Sequence, residues 1–244
     1  MSGPTIIAPP AGCPAGYRLK FKDDFNVFDY SADRSGVHAW YEGVWFNAGN
    51  PQTDVSVRNS VLTLGWRPGM PLEVDVTSLV SWRYGYFEAR MRWDDRPGVW
   101  PAFWLIPLQG DGSAENGEID VVEAQYSAQG VIYSTIHDWT GPGLSTDARA
   151  KVNNTVPLAP GFRVDNWHRY GVLWTPGAAG AAGKAQFYLD GVATISASLP
   201  AVYDTQDYLL VLTLTVGDNW VDSEPPVSEP LGVYVDSVEV WQAG

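Results

Sequence analysis

Residues 116–125, NGEIDVVEAQ, place three carboxylates, Glu118, Asp120 and Glu123, in a run otherwise built of Ile, Val and Ala. Side chains of an extended strand alternate between its two faces, so Glu118 and Asp120 share one face while Ile119 and Val121 share the other. Strict alternation would then turn Val122 outward and bury Glu123, and an unpaired buried carboxylate is strongly unfavourable. One extra residue, a β-bulge at Val121 or Val122, returns Glu123 to the face of the other two. With it, Glu118 and Glu123 lie about four strand steps apart, roughly 13 Å between Cα atoms, and side chains leaning together bring their carboxyls to about 5–6 Å. At that separation one ionised carboxylate can attack an anomeric carbon while a protonated partner releases the leaving sugar. Asp120, between them, would raise the pKa of a neighbour, because three carboxylates this close cannot all ionise freely. A solvated strand face or a set of calcium ligands would use the same residue types, but neither requires the third acid to be out of step.

The elements that must hold these acids are strands. Apolar residues recur at period 2 or in short runs rich in Val, Tyr, Trp, Phe and Thr, separated by Gly, Pro, Asn and Asp. The pattern predicts strands near 17–22, 40–46, 55–57, 61–66, 74–80, 84–93, 101–106, 117–124, 131–137, 167–174, 184–189, 192–196, 209–216 and 232–241. A single helical turn is expected near 158–165. Hairpin signals such as Asp190-Gly191, with no alternation of strands and helices, predict an all-β sandwich of two bent antiparallel sheets. The TPGAAGAAGK stretch, 175–184, reads as a hairpin loop.

The 244 residues, 45% hydrophobic and 18% charged, suit one large domain, here 17–244 after an N-terminal extension of 1–16. A net charge of −13 disfavours nucleic acid and anionic membrane surfaces. Cys13 is the only cysteine, which excludes an internal disulfide and a zinc site of several thiolates. The first residues lack the basic and apolar regions of an export signal, and no apolar run approaches the roughly 18 residues of a membrane span. There is no H-E-x-x-H zinc motif, serine-hydrolase elbow or phosphate-binding glycine loop.

Beyond GEIDVVE, the stretches FKDDFN (21–26), YGYFEARM (84–91), GVWPAFWLIP (98–107), STIHDW (134–139), NWHRYGVLWTP (166–176), FYLDG (187–191) and VDSVEVWQ (235–242) follow one another in an order that resembles the family 16 glycoside hydrolases with the bulged E-x-D-x-x-E strand. The resemblance covers nearly the whole chain. It implies a β-jelly roll with a glycan cleft across its concave face and retention of anomeric configuration. It makes Glu118 the nucleophile, Glu123 the acid then base, and Asp120 the assistant that holds Glu118. In YGYFEARMRW, Glu88 and Arg90 share the polar face of what reads as the adjoining strand, and the resemblance places both on the cleft floor. Twelve Trp offer flat faces on which sugar C–H groups pack; Trp104 and Trp139 are the expected stacking platforms, with Trp100 and Trp220 behind them, while Trp167, Trp174 and Trp241 read as core. His137 is a binding candidate near the acids.

Catalysis of this type needs no cofactor. A structural calcium is the one metal the resemblance implies, held by Asp236 with backbone near Asp24 and Ser60, although Ser60 stands where relatives commonly have Gly. The chain also departs from the β-1,3-glucanase pattern in having SAENG at 113–117 where Trp-Pro is usual, and a Pro- and acid-rich segment at 216–230. These departures leave the substrate open. An endo-acting, retaining β-1,3- or β-1,3-1,4-glucanase is expected, acting as a monomer on a polysaccharide or oligosaccharide outside the cytoplasm. Hydrolysis of another exopolysaccharide or a galactan, transglycosylation, and a non-catalytic glycan-binding sandwich stay open as alternatives.

Overall fold

A computed structural model describes residues 8–32, 35–44, 54–108, 117–138, 152–178, 181–217 and 229–244, with only the backbone of 152–154. Among these residues the chain forms β1 (Tyr17–Asp23), β2 (Tyr30–Ser31), β3 (Trp40–Glu42), β4 (Asp54–Arg58), β5 (Val61–Trp66), β6 (Glu73–Trp82), β7 (Gly85–Trp93), β8 (Val99–Pro107), β9 (Gly117–Ala124), β10 (Val131–Asp138), β11 (Val152–Pro157), β12 (His168–Thr175), β13 (Gly183–Leu189), β14 (Val192–Leu199), β15 (Tyr208–Val216) and β16 (Leu231–Ala243). Among the described residues the helical content is two 3-10 turns, Ser127–Gln129 and Ala201–Asp204. No helix among these residues is long and apolar enough to cross a membrane.

The strands form two eight-stranded sheets. The outer sheet runs β14-β13-β12-β7-β16-β5-β4, with β1 also paired to the long β16; the inner sheet runs β11-β10-β9-β8-β15-β6-β3-β2. All these pairs are antiparallel except the short β2–β3 pair. The all-β sandwich expected from the alternation is therefore the observed fold. Its core lies between the sheets, where Phe87, Ala89 and Met91 of the outer sheet belong to one apolar cluster with Phe103, Leu105, Ile119 and Val122 of the inner one. The Asp190-Gly191 turn has φ of 50° and 76° at its two residues, which matches the twist of a type I′ hairpin.

Three expectations need correction. Residues 158–165 make two successive turns, closed by Phe162 N–H to Ala159 O and followed by Asn166 N–H to Arg163 O, rather than a helical turn. β2 and β11 lack a readable alternation and were not expected. Of the three tryptophans assigned to the core, Trp174 is buried there, but Trp241 is buried on the opposite face of β16, where its Nε1–H donates to Glu239 at 2.9 Å. Trp167 lies with the guanidinium groups of Arg90 and Arg92, 5.0 and 5.2 Å from its ring centre.

The bulge is present. Against β10, Tyr133 pairs with Glu123 and Thr135 with Asp120, so two steps on one strand answer three on the other. Against β8, Phe103 pairs with Val122 and Trp104 with Asp120, again one residue short. Val121 and Val122 are both buried, and the buried Ser134, facing the extra residue, donates its hydroxyl to Val121 O at 2.9 Å. Replacing Ser134 by Ala should leave that carbonyl without its side-chain donor and cost about 1–3 kcal/mol in chemical denaturation; an unchanged unfolding midpoint would show that the hydroxyl does not hold the bulge.

Candidate active site

The concave face of the inner sheet carries a cleft of about 290 Å³ lined by Glu73, Asp75, Trp100, Ala102, Trp104, Glu118, Asp120, Glu123, Thr213 and Thr215. Period 2 on four neighbouring strands produces this lining: β6 gives Glu73 and Asp75, β15 gives Thr213 and Thr215, β8 gives Trp100, Ala102 and Trp104, and the bulged β9 gives all three acids. The predicted catalytic residues Glu118, Asp120 and Glu123 thus line one cleft, as do Trp100 and Trp104. Trp139 and Trp220 lie outside the described residues, as do most of the two unusual segments.

Asp120 is the most enclosed of the three, 3% exposed, while Glu118 and Glu123 are partly exposed. Burial pushes the Asp120 carboxyl well above the usual range, the charge of Glu123 pushes the same way, and a hydrogen bond with Glu118 opposes both. His137, beside Glu118 on β10, brings Nε2 to 2.9 Å from Asp120 Oδ2 and 3.8 Å from Glu118 Oε1. The shorter contact has the distance of an ion pair without the alignment of a hydrogen bond. Glu123 accepts the indole N–H of Trp100 at Oε1, 3.1 Å, and the hydroxyl of Thr135 at Oε2, 3.4 Å. The two partly exposed acids are therefore in different surroundings, Glu118 beside Asp120 and His137, Glu123 beside Trp100.

The backbone of Glu118 is pinned from beneath. Tyr203, in the turn Ala201–Asp204, accepts the Glu118 N–H at 2.8 Å and directs its own proton toward the carbonyls of Glu118, 2.7 Å, and His137. This close approach explains Gly117: a Cβ there would lie 2.5 Å from the Tyr203 ring and 2.6 Å from the Tyr208 hydroxyl. Nothing in the local sequence around Tyr203 announced this role. Glu73 and Asp75 were also missed, although EVDV, like EIDV, alternates acids with β-branched apolar residues and could have been recognised by it.

Two other predicted site residues are not in the cleft. Glu88 and Arg90 lie on β7, whose neighbours are β12 and β16 of the outer sheet, and they face away from the core. Glu88 is buried there and bonded to Tyr86 and Arg169; Arg90 pairs with Asp236 at 2.9 Å. Alternation correctly divided the faces of this strand but could not say which sheet it joins. The same ion pair bears on calcium. Asp236 is neutralised by a guanidinium, while Ser60 and Asp24 are linked through Asn26 by hydrogen bonds of 2.8 and 2.7 Å. These side chains thus form an ion pair and a turn, while the calcium expectation drew on backbone carbonyls near Asp24 and Ser60. A spacing that a cation could bridge does occur at Glu118, Asp120 and His137, whose ligand atoms lie within 4.8 Å of one another.

Because burial raises the Asp120 pKa, the folded chain keeps this proton to a higher pH than the unfolded chain does. Stability from this group is complete below the usual aspartate range and is lost as pH rises toward its folded value. Asp120→Asn removes the titration. Thermal unfolding should show the variant more stable than its parent at neutral pH, with the gap closing toward about pH 4; a gap of opposite sign would mean that Asp120 is held ionised.

The family profile Glycosyl hydrolases family 16 matches residues 44–223. Among curated relatives, an endo-1,3-1,4-beta-glycanase of Rhizobium meliloti, ExsH, is 30% identical over 196 residues, covering 75% of this chain and 38% of its own length. A second from the same organism, EglC, is 29% identical and covers 91% of this chain and 51% of its own length. The chain thus spans about half or less of these relatives. The catalytic domain of an endo-1,3-beta-glucanase (laminarinase) from Thermotoga petrophila superposes with a TM-score of 0.73 at 20% identity, covering 93% of this chain and 98% of that one, a likeness of fold. On the profile match and the fold together, the chain belongs to glycosyl hydrolases family 16.

Proposed function

We propose that the chain is an endo-acting, retaining hydrolase of β-1,3- or mixed β-1,3-1,4-glucan. The observation that carries this reading is the bulge at Val121–Val122, which lets one strand present Glu118 and Glu123 to the same cleft with Asp120 between them. The two Rhizobium relatives are endo-1,3-1,4-beta-glycanases, which supports the linkage. The lining supports an uncharged glycan: five carboxyl groups and no Lys or Arg face the described cleft, so a sulfated or carboxylated polymer would be repelled.

In this reading Glu118 attacks the anomeric carbon while Glu123 gives its proton to the departing glycosidic oxygen. The product of that step is a glycosyl ester on Glu118 and a free sugar end. Glu123, now ionised, takes a proton from water as the water oxygen attacks the same carbon, and Glu118 leaves as a carboxylate. Two inversions give net retention. Asp120, enclosed between the two glutamates and hydrogen-bonded to Glu118, holds that side chain in place for attack. Trp100 fixes the Glu123 carboxyl through Oε1. Trp104 supplies an aromatic face for a sugar ring. A polymeric glucan is met outside the cytoplasm, which is where we infer the enzyme acts.

Glu118→Gln or Glu123→Gln should lower release of reducing ends from laminarin or lichenan by at least about 10²–10⁴-fold with the fold intact. Proton NMR of the parent reaction should show the β-anomer first. Full activity in either variant, or initial α product, would contradict the mechanism.

A further inference from the structure

The three acids do not account for a second line of buried polar groups in the same cleft. Thr213 stands between Ala102 of β8 and Asp75 of β6 in the sheet register. The Trp104 indole donates Nε1–H to Thr213 Oγ1 at 2.8 Å, and the Thr213 hydroxyl donates onward to Asp75 Oδ1 at 2.6 Å. A threonine hydroxyl has one proton, so having an acceptor behind it fixes which way it points and leaves its lone pairs toward the indole. Consecutive donors aligned in this way strengthen one another in a setting shielded from water. Asp75 is 4% exposed, and burial raises its carboxyl well above the usual range, with Glu73 beside it as hydrogen-bond partner and like charge.

The Trp104 ring has a second kind of contact. It packs on a small cluster, Val44, Ile106, Leu209 and Val211, separate from the inter-sheet core. The ring is thus held both by apolar contacts and by a hydrogen bond. Register places Trp104 opposite Asp120, and Ala102 opposite Glu123. Ala102, the smallest residue of the lining, leaves a gap between Trp100 and Trp104 beside the acid that must protonate the glycosidic oxygen. The orientation of Trp104 therefore decides how a sugar ring can settle next to the carboxylates.

We propose that Asp75 is a positioning residue: through Thr213 it locks the Trp104 ring in the orientation that stacks the sugar beside the Glu118–Glu123 pair. The proposal rests on the glycan-hydrolase reading for its consequence, but the hydrogen-bonded chain can be tested without any turnover. Asp75→Ala and Thr213→Val break the chain at its two links. Asp75→Asn and Thr213→Ser keep an acceptor and a hydroxyl, and should restore it.

The first readout is the indole ¹H–¹⁵N resonance of Trp104, assigned by its disappearance in Trp104→Phe. It should shift and exchange faster with solvent in Asp75→Ala and Thr213→Val, and stay near its parent position in the two conservative variants. The second is kinetics on laminarin or lichenan: the two breaking variants should raise KM about tenfold with kcat little changed. In a Trp104→Phe background, Asp75→Ala should add less than about a twofold change. An unmoved indole resonance in both breaking variants, or an equal KM effect of Asp75→Ala with and without the Trp104 N–H, would overturn the proposal. If Asp75→Ala fails to fold, Thr213→Val carries both readouts alone. Absence of turnover by the parent on every glycan would instead refute the hydrolase reading, and the resonance would still decide the chain of hydrogen bonds.

Discussion

The chemistry of this cleft depends on one irregularity, the extra residue at Val121–Val122 in β9. Without it the alternation of the strand would send Glu123 into the inter-sheet core, where Val122 now sits fully buried. With it, both valines stay buried and both glutamates reach the cleft. The irregularity is maintained by its neighbours: Ser134 opposite the extra residue reaches Val121 O, and Tyr203 fixes the backbone at Glu118. The apolar residues of the strand anchor it while the acids face outward. A single insertion in register thus converts a core strand into the holder of two carboxyl groups.

The two sheets treat their buried acids differently, and the contrast has a functional consequence. On the outer sheet, Glu88 is bonded to Arg169 and Glu239 lies near Lys22, so cations offset part of the cost of burial, although burial still raises the Glu88 carboxyl. In the described cleft lining there is no Lys or Arg to play that part. Burial and mutual repulsion push Asp75 and Asp120 toward the protonated form instead. In a lining without cations, burial and neighbouring carboxyl groups raise the proton affinity of these two acids, the kind of environmental effect by which a site can set its carboxyl groups apart.

Much of this was readable in the sequence, and the failures have physical causes. The bulge was legible because a misplaced acid is costly enough to outweigh regular alternation. The cleft tryptophans Trp100 and Trp104, expected as sugar platforms from their place in the motif before the acids, do line the cleft. Glu88 and Arg90 were misplaced because every strand of a sandwich has one polar face, whichever sheet it joins, and sheet membership is decided by pairing far along the chain. β7 pairs with β12 and β16, elements separated from it by at least 75 residues. Tyr203 and Thr213 act through hydrogen bonds between segments distant in sequence, which no local pattern encodes. VNNTVP was missed as β11 because its polar residues are adjacent rather than alternating.

The division of labour between the two glutamates is the central claim, and trapping the intermediate tests it most directly. A 2-deoxy-2-fluoro-β-laminaribiosyl fluoride slows both displacement steps, and its good leaving group lets the first outrun the second. Mass spectrometry of the inactivated protein, with fragmentation of the peptide that spans residues 117–124, should place one fluoroglycosyl unit on the Glu118 carboxylate. A label on Glu123, or steady turnover and intact mass with no adduct at any concentration, would contradict the assignment.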